Sequence, residues 1–254
     1  MKIKNLFFLT LILYTFIGCY REDDDTKQGC TSNCATIKGK FISLNNEPVS
    51  NIIVTLDYHI GGLGGAYSRK IVNTKSNGNG NYFQNFNIKD NEMGQDAQGY
   101  FKINIDDSKI DVNKYIRSNN LSENSATYIA ATFNISKRDT IIDNTFYIPK
   151  KTYIKINLKN FSPQQSDDYF EVKTLYPYGS YVGYNALLDS PYSTGNSGFG
   201  NFRAKNIDTK LNVFVAAGEK NIIRVLRRKN GKNTSEDFLM NIPINNTIEL
   251  TYYY

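Results

Sequence analysis

Short runs in which aromatic or β-branched residues alternate with polar ones recur along most of this chain, and that period of two commits it to sheet. Tyr100, Lys102 and Asn104 oppose Phe101, Ile103 and Ile105, and Ile37, Gly39 and Phe41 oppose Thr36, Lys38 and Lys40. The pattern predicts strands over 35–42, 52–58, 68–74, 81–88, 99–105, 126–133 and 141–148. Turn chemistry separates them: Asn45-Asn46-Glu47-Pro48, the run Gly61–Gly65, and Asn77-Gly78-Asn79-Gly80. The composition points the same way, with 19 Tyr and 15 Phe against 3 Met and no Trp. One stretch, 107–117 (DSKIDVNKYIR), is predicted helical.

Pro149-Lys150-Lys151 forms a joint, and a second series follows. Strands are predicted over 152–159, 168–175, 199–205, 211–217, 221–228, 236–242 and 247–253, with Tyr153, Lys155 and Asn157 opposing Ile154, Ile156 and Leu158. Asn230-Gly231 supplies the positive φ angles of a type I′ hairpin turn. Short strands at close spacing predict antiparallel β-sandwiches. The expected fold is all-β: two tandem immunoglobulin-like or transthyretin-like sandwiches, over 35–149 and 150–254.

The segment ATIKGKFISLNNEPVSNIIVTLDY, followed by KSNGNGNYFQNFNI, resembles the carboxypeptidase-regulatory-like domain, a transthyretin-type sandwich. Gly39, the Pro48-Val49 step, Val54-Thr55-Leu56 and the Asn-Gly turn leading into Tyr82-Phe83 carry the likeness. Lys75-Ser76 stands where the family has Thr-Asp, and the likeness covers roughly residues 35–105. It implies a sandwich fold and says little of function, because such domains serve as spacers, stalks and interaction modules.

Catalytic constellations are sparse. His59 is the one histidine, no Gly-x-Ser-x-Gly is present, and a zinc site with two or three His ligands is excluded. The Gly61–Gly65 run lacks the Lys-Ser/Thr of a phosphate loop and reads as a hairpin connection. Asp106-Asp107 and Asp167-Asp168 sit at strand ends, where neighbouring side chains diverge and acids form turns. Arg224, Arg227, Arg228, Lys229 and Lys232 gather on one predicted hairpin, either a solvated edge or a patch for an anionic headgroup or glycan. No cofactor or metal is expected.

Residues 175–202 stand apart, rich in Tyr, Gly and Ser with little charge. They are predicted to form a binding loop over 176–202, with Tyr176, Tyr178, Tyr181, Tyr184 and Tyr192 as ligand contacts. The competing reading makes 180–188 another strand with the rings packed on it.

At the N-terminus, Lys2 and Lys4 precede Leu6–Ile17, an uncharged run shorter than the ~20 apolar residues a bilayer-crossing helix needs. It ends at Phe16-Ile17-Gly18-Cys19, which resembles the lipobox of bacterial lipoproteins, with Phe16 where Leu, Val or Ile is usual. The likeness implies a signal peptide over 1–18 and a diacylglycerol, carrying acyl chains such as palmitate, on Cys19. Residues 19–34 are expected to be a tether. Glu22, Asp23, Asp24 and Asp25 should repel one another and stay solvated. They also resemble the acidic surface-export signal of lipoproteins in some Gram-negative bacteria, which implies the outer leaflet of the outer membrane. A plain spacer is the alternative. Thr31-Ser32-Asn33 form turns readily, so Cys30 and Cys34 could close a local disulfide in an oxidising compartment; two free thiols are the alternative.

Loss of Lys2 and Lys4 lowers the net charge of +6 to +4, too mild to argue for nucleic acid. The expectation is a non-enzymatic binding or structural module at the cell surface, with the membrane as partner through its lipid and a protein or glycan as second partner. An accessory subunit of an outer-membrane nutrient-uptake or assembly complex is the alternative, and a hydrolase the third.

Overall fold

The computed structural model describes residues 19–62, 65–118, 127–196, 202–244 and 248–254. The signal peptide expected over 1–18 lies outside them. The first strands are β1 (Cys19–Asp24), β2 (Ala35–Ile42), β3 (Ile53–Gly62), β4 (Gly65–Lys75), β5 (Asn81–Phe86), β6 (Tyr100–Asp106), β7 (Tyr128–Phe133) and β8 (Ile141–Tyr147). Then come β9 (Lys151–Lys159), β10 (Tyr169–Asn185), β11 (Ser190–Asn196), β12 (Thr209–Ala216), β13 (Glu219–Lys229), β14 (Lys232–Ile242) and β15 (Glu249–Tyr253).

The chain is all-β, as the alternation requires. One sheet has the order β1-β4-β3-β6-β7 and a small one β12-β9-β15. Between them runs a larger sheet, β14-β13-β10-β8-β2-β5, with β11 on β10. Its β2-β5-β8 end faces the first sheet across a core that includes Ile37, Phe41, Leu56, Phe101, Ile103, Ile105 and Phe146. Its β10-β13 end faces the small sheet across a second core of Ile154, Ile156, Leu158, Phe170, Val213 and Val225. The apolar members of both alternating sets thus turn inward, each burial removing roughly 1.5–3 kcal/mol worth of apolar surface from water. The two ends of the large sheet meet where β10 pairs β8 through Gly179↔Tyr147 and Ser180↔Phe146. Tyr176, Tyr178 and Ala216 cross over to pack in the first core.

Gly39 is needed for close approach. A Cβ there would collide with the Asn144 carbonyl oxygen of β8 and lie 2.6 Å from the Tyr82 hydroxyl. The β13–β14 hairpin turns through Asn230 (φ 52°) and Gly231 (φ 77°), closed by the pair Lys229↔Lys232, as the dipeptide predicts.

Several expectations are corrected. Residues 107–117 are not helical. The Asp106 side chain accepts from the Ser108 amide and Asp111 from the Asn113 amide, local bonds that compete with a helix. The strand expected over 199–205 is reduced to a bridge between Glu171 and Arg203, with Phe202 and Ala204 buried; residues 199–201 lie outside the described residues. The four acids are not a free tether. Glu22, Asp23 and Asp24 belong to β1, which adds in parallel to the edge of β4. Neighbouring cations offset the repulsion: Lys70 lies 3.6 Å from Glu22, Arg21 3.2 Å from Asp23, and Arg69 3.0 Å from Asp25. Among the described residues no helix is long and apolar enough to cross a membrane.

Candidate functional site

Over 175–196 the tyrosine-rich stretch is a hairpin rather than a loop; residues 197–201 lie outside the described residues. β10 continues to Asn185 and returns as β11, and the pairing shifts register between Pro177 and Tyr181 and again between Tyr181 and Asn185. Gly179 (φ 104°) and Gly183 (φ 80°) supply backbone that other residues rarely adopt, so the strand bends there and changes which way its rings point. Before the bend the rings go inward. Tyr176 is 0 % exposed and Tyr178 1 %. Tyr178 packs edge-on against Phe146 and Tyr128 and donates to Asp107 at 3.3 Å. These two of the five expected contact residues therefore have no free face for a ligand. After the bend the rings go outward, with Tyr181 57 % and Tyr184 66 % exposed. Tyr192, half-buried, stacks on Tyr147 with centroids 4.6 Å apart and meets Tyr181 edge-on at 6.0 Å.

Two hollows flank this cluster. One, of about 480 Å³, is walled by Tyr181, Tyr192, Lys40, Asn46, Asn79 and Thr145. The other, of about 290 Å³, is also lined by Tyr192 and includes Tyr147, Ser190, Glu219, Lys220, Asp189 and Asn241. Lys220 and Asp189, both in its lining, pair at 2.7 Å. Glu219 accepts a hydrogen bond from the Tyr147 hydroxyl, and burial pushes its carboxyl up to about 7. Sequence reading missed Glu219, because it is an ordinary residue after a turn glycine and its partner lies 72 residues away.

That burial makes a pH prediction. Below about pH 4.5 Glu219 is protonated in folded and unfolded chains alike and costs nothing. Above that the unfolded chain ionises first, so folding loses stability up to about pH 7, by roughly 3 kcal/mol from this residue. Urea melts at pH 4.5 and 7.5 should show that loss in the wild type and a smaller one in Glu219→Gln. Equal losses would contradict it. Glu47 titrates outside this window, since hydrogen bonds from Lys114 and Lys150 hold it down at about 2.

The other candidates have structural partners. His59 lies on β3 against the Tyr100 ring, with centroids 5.4 Å apart. The Gly61–Gly65 run is the β3–β4 hairpin, paired as far as Gly62↔Gly65; residues 63 and 64 lie outside the described residues. Asp107 is buried and accepts from the Ser118 hydroxyl at 2.8 Å, while Asp168 accepts from the amides of Gln164, Gln165 and Asn230. The basic hairpin is largely neutralised: Arg224 pairs with Asp237, Arg227 with Glu236 and Arg228 with Asp167. Cys30 and Cys34 are disulfide-bonded, with Cα atoms 5.8 Å apart. Among the described residues no three His, Cys, Asp or Glu side chains converge as metal ligands would.

No family model matches the chain, and no curated protein matches it. Solved structures similar to it include the Bacillus anthracis TIE protein, 14 % identical over 87 % of this chain and 33 % of that one, with a TM-score of 0.28. A streptococcal ancillary pilin is 9 % identical over 87 % of this chain and 62 % of that one, also at 0.28. The shaft pilin of Lactobacillus rhamnosus GG is 9 % identical over 86 % and 96 %, again at 0.28. The chain thus spans a third of the first of these and under two thirds of the second. At such TM-scores the likeness carries no argument about function.

What the hairpin face can do follows from its groups. Exposed rings offer flat apolar faces at low conformational-entropy cost, and the amide, ammonium and hydroxyl groups of Asn46, Asn79, Lys40 and Thr145 offer hydrogen bonds beside them. Ring faces next to such donors and acceptors suit a ligand that is flat and apolar on one side and hydroxylated at its rim.

Proposed function

We propose that this protein is a lipid-anchored, non-enzymatic cell-surface module that binds carbohydrate on the β10–β11 face. The observation that carries the reading is the outward Tyr181 beside the stacked Tyr192–Tyr147 pair, next to a hollow rimmed by Lys40, Asn46, Asn79 and Thr145. Cys19 carries the anchor in this reading, and Glu22–Asp25 direct the protein to the outer face of the outer membrane. In this reading the chain is two modules, 35–149 and 150–254, joined through the shared sheet and through Tyr176, Tyr178 and Ala216, which pack in the first core, and the first is of the transthyretin type suggested by Gly39 and the Asn77–Gly80 turn.

A glycan array probed with the chain lacking residues 1–18 and carrying Cys19→Ser tests the binding. Tyr181→Ala and Tyr184→Ala should each weaken binding to the recognised glycan roughly tenfold, the ~1.4 kcal/mol of a lost ring contact. Their melting temperatures should stay near that of the parent chain. No glycan bound, or binding indifferent to both substitutions, would overturn the reading.

A second reading, an accessory subunit of an outer-membrane complex, is favoured by β14. Among the described residues it pairs only with β13, leaving its outer edge open, and Phe238 and Leu239 are exposed on it. Such an edge can receive a strand from a partner protein. A pull-down from membranes that loses one transporter-sized partner on Leu239→Lys would favour this reading.

A further inference from the structure

Resting on the carbohydrate reading of the β10–β11 face, we propose that the site continues along the outer side of β2 to Phe83 and selects sugar chains that carry acid groups, as uronate or sulfate. The hollow beside Tyr181 and Tyr192 does not end at Lys40. A second one, of about 470 Å³, adjoins it and reaches Asn81, Phe83 and Asp143. Lys40 and Thr145 line both, so the two hollows meet at that pair.

The strand register lays these groups in a row. Side chains two apart on a strand share a face, so Lys38 and Lys40 turn outward while Ile37 and Phe41 enter the first core. Lys40 lies between Asn81 of β5 and Thr145 of β8, and Lys38 between Phe83 and Asp143. One step the other way, Ile42 pairs with Tyr147, on which Tyr192 stacks. The Tyr147 and Asp143 levels are four residues apart, about 14 Å at the rise of a strand. That is longer than a single sugar ring. Phe83 is 61 % exposed, so each end of the row offers an apolar ring, Tyr181 at one and Phe83 at the other, with amides and a hydroxyl between.

Charge makes the row selective. Asp143 is the one carboxylate that lines either hollow, and it lies 3.5 Å from Lys38. Lys40 is exposed where the hollows meet and makes no ion pair among the described residues. Two lysines against one acid leave a net charge of +1 along the row. A carboxylate or sulfate on the ligand gains a charge-assisted hydrogen bond from the Lys40 ammonium, stronger than the bond a sugar hydroxyl makes there. The contact stays open to solvent, so salt screens it. The hollow that holds Glu219 has the opposite balance, Asp189 and Glu219 against Lys220, and repels an acidic chain. Such a chain therefore runs from Tyr181 toward Phe83.

The full chain, in mild detergent that leaves any lipid in place, is titrated at low salt against glycans printed as matched pairs. Each uronic acid stands beside its methyl ester, and each sulfate ester beside its desulfated form. The acidic member should bind roughly tenfold more tightly. Salt at about 0.5 M should erase most of that difference. Lys40→Gln should remove the preference, keep the affinity for the neutral member and leave the melting temperature unchanged, whereas Tyr181→Ala weakens both members alike. Phe83→Ala should weaken the binding of chains of several sugars and leave disaccharides as they were. A preference seen in one kind of pair alone supports the proposal and names the acid. Equal or reversed affinities within the pairs, or a preference that survives Lys40→Gln, would overturn acid selection and leave the carbohydrate reading standing. Phe83→Ala without effect on any chain would overturn the extension into the second hollow. If no member of any pair binds, the carbohydrate reading and acid selection fall together.

Discussion

Replacing Tyr178 with Ala should destabilise the protein by about 3–5 kcal/mol, the cost of emptying a buried aromatic site. The ring is 1 % exposed and packs on Phe146 and Tyr128 in the first core, although the same strand sends Phe170 and Val172 into the second. Its hydroxyl is also one of the donors to Asp107, whose carboxyl burial pushes upward. Tyr178→Phe isolates that bond and should cost only about 0.5–1.5 kcal/mol. The neighbouring Tyr181→Ala and Tyr184→Ala, on the outward side of the Gly179 bend, should stay within about 0.5 kcal/mol of the wild type. Urea or thermal melts of the four variants decide the matter. Equal, large losses at Tyr181 and Tyr184 would place those rings in the core and remove the proposed binding face.

Arg69→Met should be comparably severe. Arg69 and Glu92 are both 2 % exposed, and the Arg Nε donates to Glu92 at 2.7 Å while a second nitrogen contacts the other carboxylate oxygen. Removing the guanidinium leaves a buried carboxylate without its counter-charge, a loss of about 3–5 kcal/mol. In a chain of this length that lowers the melting temperature by roughly 6–20 °C. The double substitution Arg69→Met with Glu92→Leu should recover much of the loss, because a buried ion pair replaced by apolar groups is often neutral. A double variant no better than the single one would mean that the damage comes from lost packing and not from the stranded charge.

Where local pattern alone decides the outcome, the chain is readable. Phe101, Ile103 and Ile105, and Ile154, Ile156 and Leu158, sit in the two cores because a strand has only two faces and water selects one. Asn230-Gly231 turns as its permitted φ angles dictate. Reading fails where a residue's partner is distant or where one glycine changes the facing of a strand. The five tyrosines look alike in sequence, yet the Gly179 bend puts Tyr176 and Tyr178 in the core and Tyr181 and Tyr184 in solvent. The acids at 22–25 look self-repelling until β4 brings Arg69, Lys70 and Tyr67 beside them, some 44 residues on. Ile110, Tyr115 and Ile116 suggest a helix, but Asp106 and Asp111 bond to nearby amides instead. Glu219 carries no local mark, since its raised pKa comes from burial created by the fold.

The central claim, a module held to the membrane at Cys19, is tested most directly by metabolic labelling of cells with a fatty-acid analogue, comparing wild type with Cys19→Ala. The account predicts a labelled wild-type protein whose N-terminal peptide begins at Cys19, and an unlabelled variant. Equal labelling of both, or a wild-type protein that retains residues 1–18 and takes up no label, would contradict it.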